Sequence, residues 1–408
     1  MRNNRKHKIF ILSFALLFVL LAVPAHYKFY PVLAAFLLLF TFQPKSFDLK
    51  FFLQNTLLYF GLLFTLLYSS NWSYGSSFVF ETQALLLIFP LFFSILLPAD
   101  FPELYRYKDQ FFLTYILMVF LYSLSPVHWF FAPYHYDLQK LLFHYPGILN
   151  STDYHLFSIH PVYMSIAVGW AFILSLYLLI KIRQKYIRIL LIVLEIYFLG
   201  ILFLLARMGA ILALMLALLL FVYLYKRHVF YRLVLVIILG AGLVFVIPNT
   251  RKRINEVLKI EHKDVMKNTS AGKHLRIFKS SWKSFKNSPL TGYGLGSHKD
   301  VLIEQYRKDG ETDLYKEKYS THNQYMSFLL IGGIFLLLIY MAMIAVSIRR
   351  AIPSKNYLVP VFWVYFGIVM LFENYLERED GIVVFALFYT YLNYLSHTHF
   401  DNSQKSNT

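Results

Sequence analysis

The sequence predicts an all-α polytopic membrane protein: about 12 transmembrane helices and one large external loop that contains amphipathic helices. Three observations lead there. Of the 408 residues, 58% are hydrophobic and only 15% charged, more apolar surface than a soluble chain of this size hides. The apolar residues fall in runs near the length needed to cross about 30 Å of hydrocarbon. Lys and Arg recur in alternate short loops, as the positive-inside rule requires.

The runs lie at Ile9–Val23, Tyr27–Phe42, Phe51–Ser69, Phe78–Leu97, Phe111–Ser125, Ile159–Ile180, Ile187–Leu205, Gly209–Tyr225, Val229–Ile247, Asn323–Ile348, Tyr357–Leu376 and Ile382–Leu395. The first follows Arg2, Arg5, Lys6 and Lys8 and resembles a secretory signal. An uncleaved first helix is expected, because removing it upsets the charge alternation. Residues 1–248 then form helices 1–9, 249–322 the large loop, 323–396 helices 10–12, and 397–408 a polar tail.

Starting with the N-terminus inside, the inner loops carry Lys45 and Lys50; Arg106 and Lys108; Lys181, Arg183, Lys185 and Arg188; Lys226, Arg227 and Arg232; and Arg349, Arg350 and Lys355. Short outer turns such as Ser69–Ser77 lack such residues. Both termini are therefore expected in the cytoplasm and the large loop outside. That loop is itself cationic, which is permitted because loops beyond about 60 residues translocate largely regardless of charge. The net charge of +17 is accounted for by the membrane, so no nucleic-acid partner is expected. With no Cys, the chain has no disulfide, thiolate metal site or cysteine nucleophile.

Two amphipathic helices are expected inside the loop. In the first, Ile254, Val257, Leu258 and Val265 share a face with Glu261. In the second, Leu275, Phe278, Ser281, Trp282 and Phe285 form an apolar stripe, and Lys273, Arg276, Lys279, Lys283 and Lys286 line another face. Such a cationic ladder fits a solvated, headgroup-anchored face or a wall that binds phosphate, and Arg suits the second role through its planar fork. Thr291-Gly292-Tyr293-Gly294-Leu295-Gly296 follows; it is neither a P-loop nor a dinucleotide motif, and its glycines suit a tight backbone path or close approach to a ligand. The loop ends at His322-Asn323, where His322 stands at the membrane boundary, suited to passing a proton near neutral pH.

Arg207, between two long apolar runs, is a functional candidate because a cation near a bilayer is costly. Glu373, Glu377, Arg378, Glu379 and Asp380 form an outer cluster, and His160-Pro161 opens the sixth helix. Arg207, Arg276, His322, Glu373 and His160 are all expected on one side of the membrane.

Four elements in order carry a resemblance: His160-Pro161-Val162-Tyr163; Arg207-Met208-Gly209-Ala210; Arg276 and Trp282 through Pro289 to Gly296; and His322-Asn323-Gln324-Tyr325 with Gly333 downstream. Together, across roughly 159–338, they resemble the O-antigen ligase/polymerase superfamily of bacterial cell-envelope proteins. The chain departs from the family pattern at Ala206, Met208, Ile331 and Leu336. The resemblance implies a GT-C-like glycosyltransferase of the bacterial inner (cytoplasmic) membrane, its loop periplasmic. The implied donor is an undecaprenyl-diphosphate-linked glycan, the acceptor lipid A-core or another glycan, with no cofactor, metal or nucleotide sugar. It assigns catalysis to His322 and diphosphate binding to Arg207 and Arg276, with Lys279 beside them. His160, Gly294, Asn323, Glu373 and Arg378 are weaker substrate-contact candidates.

The first functional expectation is an O-antigen ligase, and the alternative a surface-polysaccharide polymerase using the same donor. A lipid-linked sugar transporter is the reading from another class; it requires mid-membrane ionisable groups and related halves, and only Glu195 lies well inside a helix.

Overall fold

The computed structural model describes residues 2–23, 27–40, 46–97, 101–125, 145–146, 149, 159–205, 207–226 and 270–405. Every regular element among them is helical. The amino-terminal part holds α1 (Arg2–Leu16), α2 (Phe29–Phe40), α3 (Leu49–Asn55), α4 (Leu57–Thr65), α5 (Trp72–Ser77), α6 (Leu85–Ile95), α7 (Glu103–Arg106) and α8 (Lys108–Ser123). The centre is α9 (Pro161–Lys181), α10 (Lys185–Leu205) and α11 (Met208–Tyr225). An external group follows, α12 (Ser270–Asn287), α13 (Ser297–Lys308) and α14 (Thr312–Glu317). Then come α15 (Gln324–Ala351), α16 (Leu358–Phe372) and α17 (Glu379–Lys405).

Eleven of the twelve expected runs fall on these helices, and the twelfth, Val229–Ile247, lies outside the described residues. The expected span count is not reproduced. Among the described residues five helices are long and apolar enough to cross a membrane, or six when α3 and the α4 segment, bent by 55°, are taken as one. Several others, such as Leu358–Phe372, are apolar but short. The expected helix at Ile254–Val265 and most of the 128–158 segment also lie outside the described residues.

Helix α9 is central, with 83% of its apolar window buried against 28% for α10 and for α11. The outer faces of α10 and α11 expose Ile192, Val193, Ile196, Phe203 and Met215, as a surface in contact with hydrocarbon must. The abundant aromatics are as much core as interface: Trp170, Tyr115, Tyr365 and Tyr391 are buried. Two of the tyrosine hydroxyls reach backbone carbonyls on neighbouring helices, Tyr365 donating to Ile166 O at 2.7 Å and Tyr391 to Leu104 O at 2.7 Å. Each of these two O–H groups thus finds an acceptor and cross-links two helices.

Helix α15 is broken. Gly332 (φ −128°, ψ 15°) and Gly333 (φ 60°, ψ −155°) leave helical geometry and free the carbonyls before them and the amides after them. The glycine turn after α12 fills that gap. Tyr293 N donates to Leu330 O and Gly294 N to Ile331 O, both at 2.8 Å, and Ile334 N donates to Pro289 O at 2.9 Å. The backbones approach so closely that a Cβ on Gly333 meets Leu290 O at 2.1 Å, and one on Gly294 meets Thr65 O at 2.8 Å. An unsatisfied backbone group in an apolar setting costs several kcal/mol, and this insertion satisfies three directly. The external group is thereby locked onto α15 and α4.

Candidate functional site

The site gathers where α9, α11, α15 and α16 end on one side of the bundle. Its centre is Thr321-His322-Asn323. Asn323 caps α15, its Oδ1 accepting from Met326 N at 3.0 Å, while its Nδ2 donates to Leu371 O at 3.2 Å on the last turn of α16. That second bond brings the start of α15 beside Glu373. His322 sits at φ 46°, a left-handed conformation that a non-glycine residue adopts at a cost of about 1 kcal/mol or more. Its Nδ1 lies 3.7 Å from Glu373 Oε2, and Glu373 Oε1 accepts from Tyr163 OH at 3.4 Å. The His322 ring is 5.3 Å from that of His274 and 5.8 Å from that of Tyr319.

His160 caps α9, its Nδ1 accepting from Val162 N at 3.4 Å. Burial lowers its pKa, and the charges acting on it are those of Glu373, which raises it, and of Arg207, Arg378 and His322, which lower it. The structure therefore brings together His160, Arg207, His322, Glu373, Arg378 and, through its cap, Asn323. His274 is shifted in the same direction, by partial desolvation and then by His322 and Lys273 against Glu373. Arg207 caps α11, and its buried Nε has no hydrogen-bond partner among the described residues. A buried guanidinium donor without an acceptor is costly, and Arg276 Nε is likewise buried and unpartnered among the described residues.

Three expected contacts are placed otherwise. Arg276 is buried in an ion-paired cluster: its NH1 reaches Glu311 Oε2 at 2.6 Å and Asp313 Oδ1 at 2.8 Å, and its NH2 reaches Asp313 Oδ2 at 2.7 Å. Hydrogen bonding from Arg276 first, with burial opposing, pulls the Asp313 carboxyl down to about 2. These carboxylates occupy the guanidinium that was expected to hold a diphosphate. Lys279 is exposed on the outer side of α12. Gly294 approaches backbone, as described above.

The rotation of α12 explains the difference. Its buried side is Arg276, Ile277, Ser280, Ser281, Ser284 and Phe285, whose mostly small side chains allow close packing on α13 and α15. Of the expected apolar stripe, Phe278 and Trp282 are exposed and stacked with ring centroids 6.3 Å apart. The ladder is split up as well: Lys273 donates to Tyr319 OH at 3.0 Å and Lys283 to Asp309 Oδ1 at 2.7 Å.

A buried polar network beneath the site was not foreseen. Glu377 Oε1 accepts from Asn374 Nδ2 at 2.8 Å and from Ser327 Oγ, and Glu377 Oε2 lies 3.5 Å from Lys299 Nζ, which also donates to Tyr74 OH at 2.7 Å. Thr321 Oγ1 donates to Asn374 Oδ1 at 3.0 Å, and Leu376 N donates to Gln324 Oε1 at 2.9 Å. Burial alone raises the Glu377 carboxyl; Lys299, His298 and the two hydrogen bonds outweigh it and hold it below its ordinary value. The network clamps the His322 loop to the Glu373–Arg378 loop, with α13 and α5 as its floor. Lys28 adds a strap from the amino-terminal helices, 3.0 Å from Asp380 and 3.3 Å from Glu379. In the sequence, Glu377 was visible as part of an acidic cluster. Lys299 and His274 gave no signal, because each is one more cation in a cationic loop.

Fold and site together define a helical membrane protein with a His–carboxylate–Arg cluster at one end of its bundle. Residues 193–341 match the O-antigen ligase family model, and the match supports placing the chain in the O-antigen ligase/polymerase superfamily of membrane enzymes. It includes Arg207, the glycine turn and His322-Asn323, while His160, Glu373 and Arg378 lie beyond it. No curated protein matches the chain.

Proposed function

We propose that the protein is a metal-independent, inverting GT-C-type glycosyltransferase of the bacterial inner membrane. It moves a glycan from undecaprenyl diphosphate to an acceptor hydroxyl at the periplasmic face. The observation that carries this reading is the buried, unpartnered Arg207 donor beside the His322–Glu373 pair. Arg207, with Arg378 near it, binds the diphosphate and stabilises the negative charge that grows on it as the glycosidic bond breaks. Arg276 and Lys279 drop out of that role, the first because two carboxylates engage it.

His322 acts as general base. Glu373 faces Nδ1, which leaves Nε2 to take the acceptor proton, and the carboxylate stabilises the imidazolium that forms. The acceptor oxygen forms the new bond to the anomeric carbon, the bond to the diphosphate breaks with its electron pair going to the phosphate oxygen, and attack from the opposite face inverts the centre. The 3.7 Å separation shortens to a hydrogen bond when substrate closes the site, as apo catalytic contacts commonly do.

Transfer of finished polysaccharide to lipid A-core is the first reading, supported by the O-antigen ligase description of the matched family. A deletion strain tests it: loss of a ligase leaves bare core and accumulated lipid-linked polymer. Core carrying a single repeat overturns it in favour of a polymerase.

A further inference from the structure

A second cation-lined cavity lies at the other end of the same helices. α9 runs from His160 to Lys181, α11 from Arg207 to Tyr225, and α16 from Leu358 to Glu373. Lys181, Tyr225 and Leu358 all line one cavity of about 100 Å³, together with Lys108, Tyr177 and Lys355. The 21 residues of α9 place it about 30 Å from His160, so it is separate from the candidate active site. At about 10–15 Å³ for each enclosed water, it has room for several waters or one small anion.

Lys108 Nζ lies 3.7 Å from the centroid of the Tyr105 ring and Lys181 Nζ 4.5 Å from that of Tyr177. No carboxylate lies within ion-pair distance of Lys108, Lys181 or Lys355 among the described residues. Burial and then the Lys181 charge hold Lys108 below the ordinary lysine value, with Asp109 opposing them. Lys355 is held at the rim in a left-handed conformation, φ 52°. Lys108 Nζ also donates a long hydrogen bond to Tyr105 O at 3.4 Å, and ammonium groups lining one cavity with no ion-pair partner are complementary to a compact anion. Basic pockets between helices at a membrane surface suit phosphate headgroups.

We propose that this cavity binds a phosphate group, supplied by an anionic phospholipid headgroup or by free phosphate. Bound there, it neutralises Lys108 and Lys181 and ties α8, α9 and the loop before α16 together at the end remote from the chemistry.

The test uses the full-length protein. In phosphatidylcholine nanodiscs, increasing fractions of phosphatidylglycerol are added and retained lipid is read by native mass spectrometry; in detergent, inorganic phosphate is titrated against Tm. The Lys108→Gln/Lys181→Gln pair is expected to weaken retention about thirtyfold, from roughly fivefold in affinity per removed cation. Lys185→Gln/Arg188→Gln, on the same end but outside the cavity, changes it less than about threefold. Lys108→Arg/Lys181→Arg keeps the charge, guards against misfolding and retains binding. Binding of phosphatidylglycerol alone identifies a headgroup; an equal response to inorganic phosphate identifies the free ion. Binding of neither probe, or equal weakening by the cavity and control pairs, overturns the proposal. None of these readouts depends on glycan transfer.

Discussion

Arg276 and Arg207 make opposite predictions when each is replaced by Met. Arg276 is 6% exposed and donates three charge-assisted hydrogen bonds, to Glu311 and Asp313. Removing one partner of a buried ion pair costs about 3–5 kcal/mol; here the carboxylates are 25% and 47% exposed, so water rescues part of the loss. A cost of about 2–3 kcal/mol remains, which exceeds typical surface substitutions and is enough to loosen α14 from α12. The assay pairs limited proteolysis of the 270–320 segment with transfer per folded molecule in nanodiscs. Arg276→Met is expected to be cut faster while keeping most of its transfer rate. Arg207→Met, which removes a cation with an unsatisfied buried N–H, is expected to keep its stability and lose about 10²–10³ in rate. An Arg276→Met protein that resists protease like the wild type yet fails to transfer refutes this division of roles.

Glu373→Gln keeps the shape of the His322 partner and removes its charge; transfer is expected to fall about 10²-fold with KM for the donor little changed. Gly333→Ala places a Cβ 2.1 Å from Leu290 O, so the inserted turn is expelled and the purified protein loses yield and shows a lower Tm in thermal-shift measurements. His298 is buried, and burial pushes its pKa down to about 4 from 6.5. Because the folded value is the lower one, its contribution is fully present above pH 6.5 and is lost as pH falls toward 4, by at most about 3 kcal/mol. Tm measured from pH 7 to pH 4 is expected to fall more steeply for the wild type than for His298→Leu.

The membrane class, the helix positions and the gathering of His160, Arg207, His322 and Glu373 on one side were legible, because hydropathy and loop charge are set by the bilayer and not by tertiary detail. Asn323 was legible as part of a motif, and its work as a cap and a clamp to Leu371 needed coordinates. The ion-paired burial of Arg276 was not legible, because a helical wheel shows which residues share a face but not which face turns inward. Small serines, not Phe278 and Trp282, decide that for α12. The partners Glu311 and Asp313 lie more than thirty residues away in sequence, beyond any periodic signal. The glycine turn was read as a tight path or a ligand approach. Its use in patching a broken helix depends on Gly332 and Gly333, which look unremarkable inside an apolar run.

In the proposed mechanism His322 takes the acceptor proton at a site built from two loops and a membrane-edge arginine. Purified wild-type and His322→Ala proteins, matched in Tm and reconstituted in nanodiscs, are given undecaprenyl-diphosphate-linked glycan and lipid A-core. Product is counted by mass spectrometry. Transfer by the wild type and a loss of at least about 10²-fold in the variant are expected if His322 is the base. Transfer by His322→Ala at the wild-type rate contradicts it.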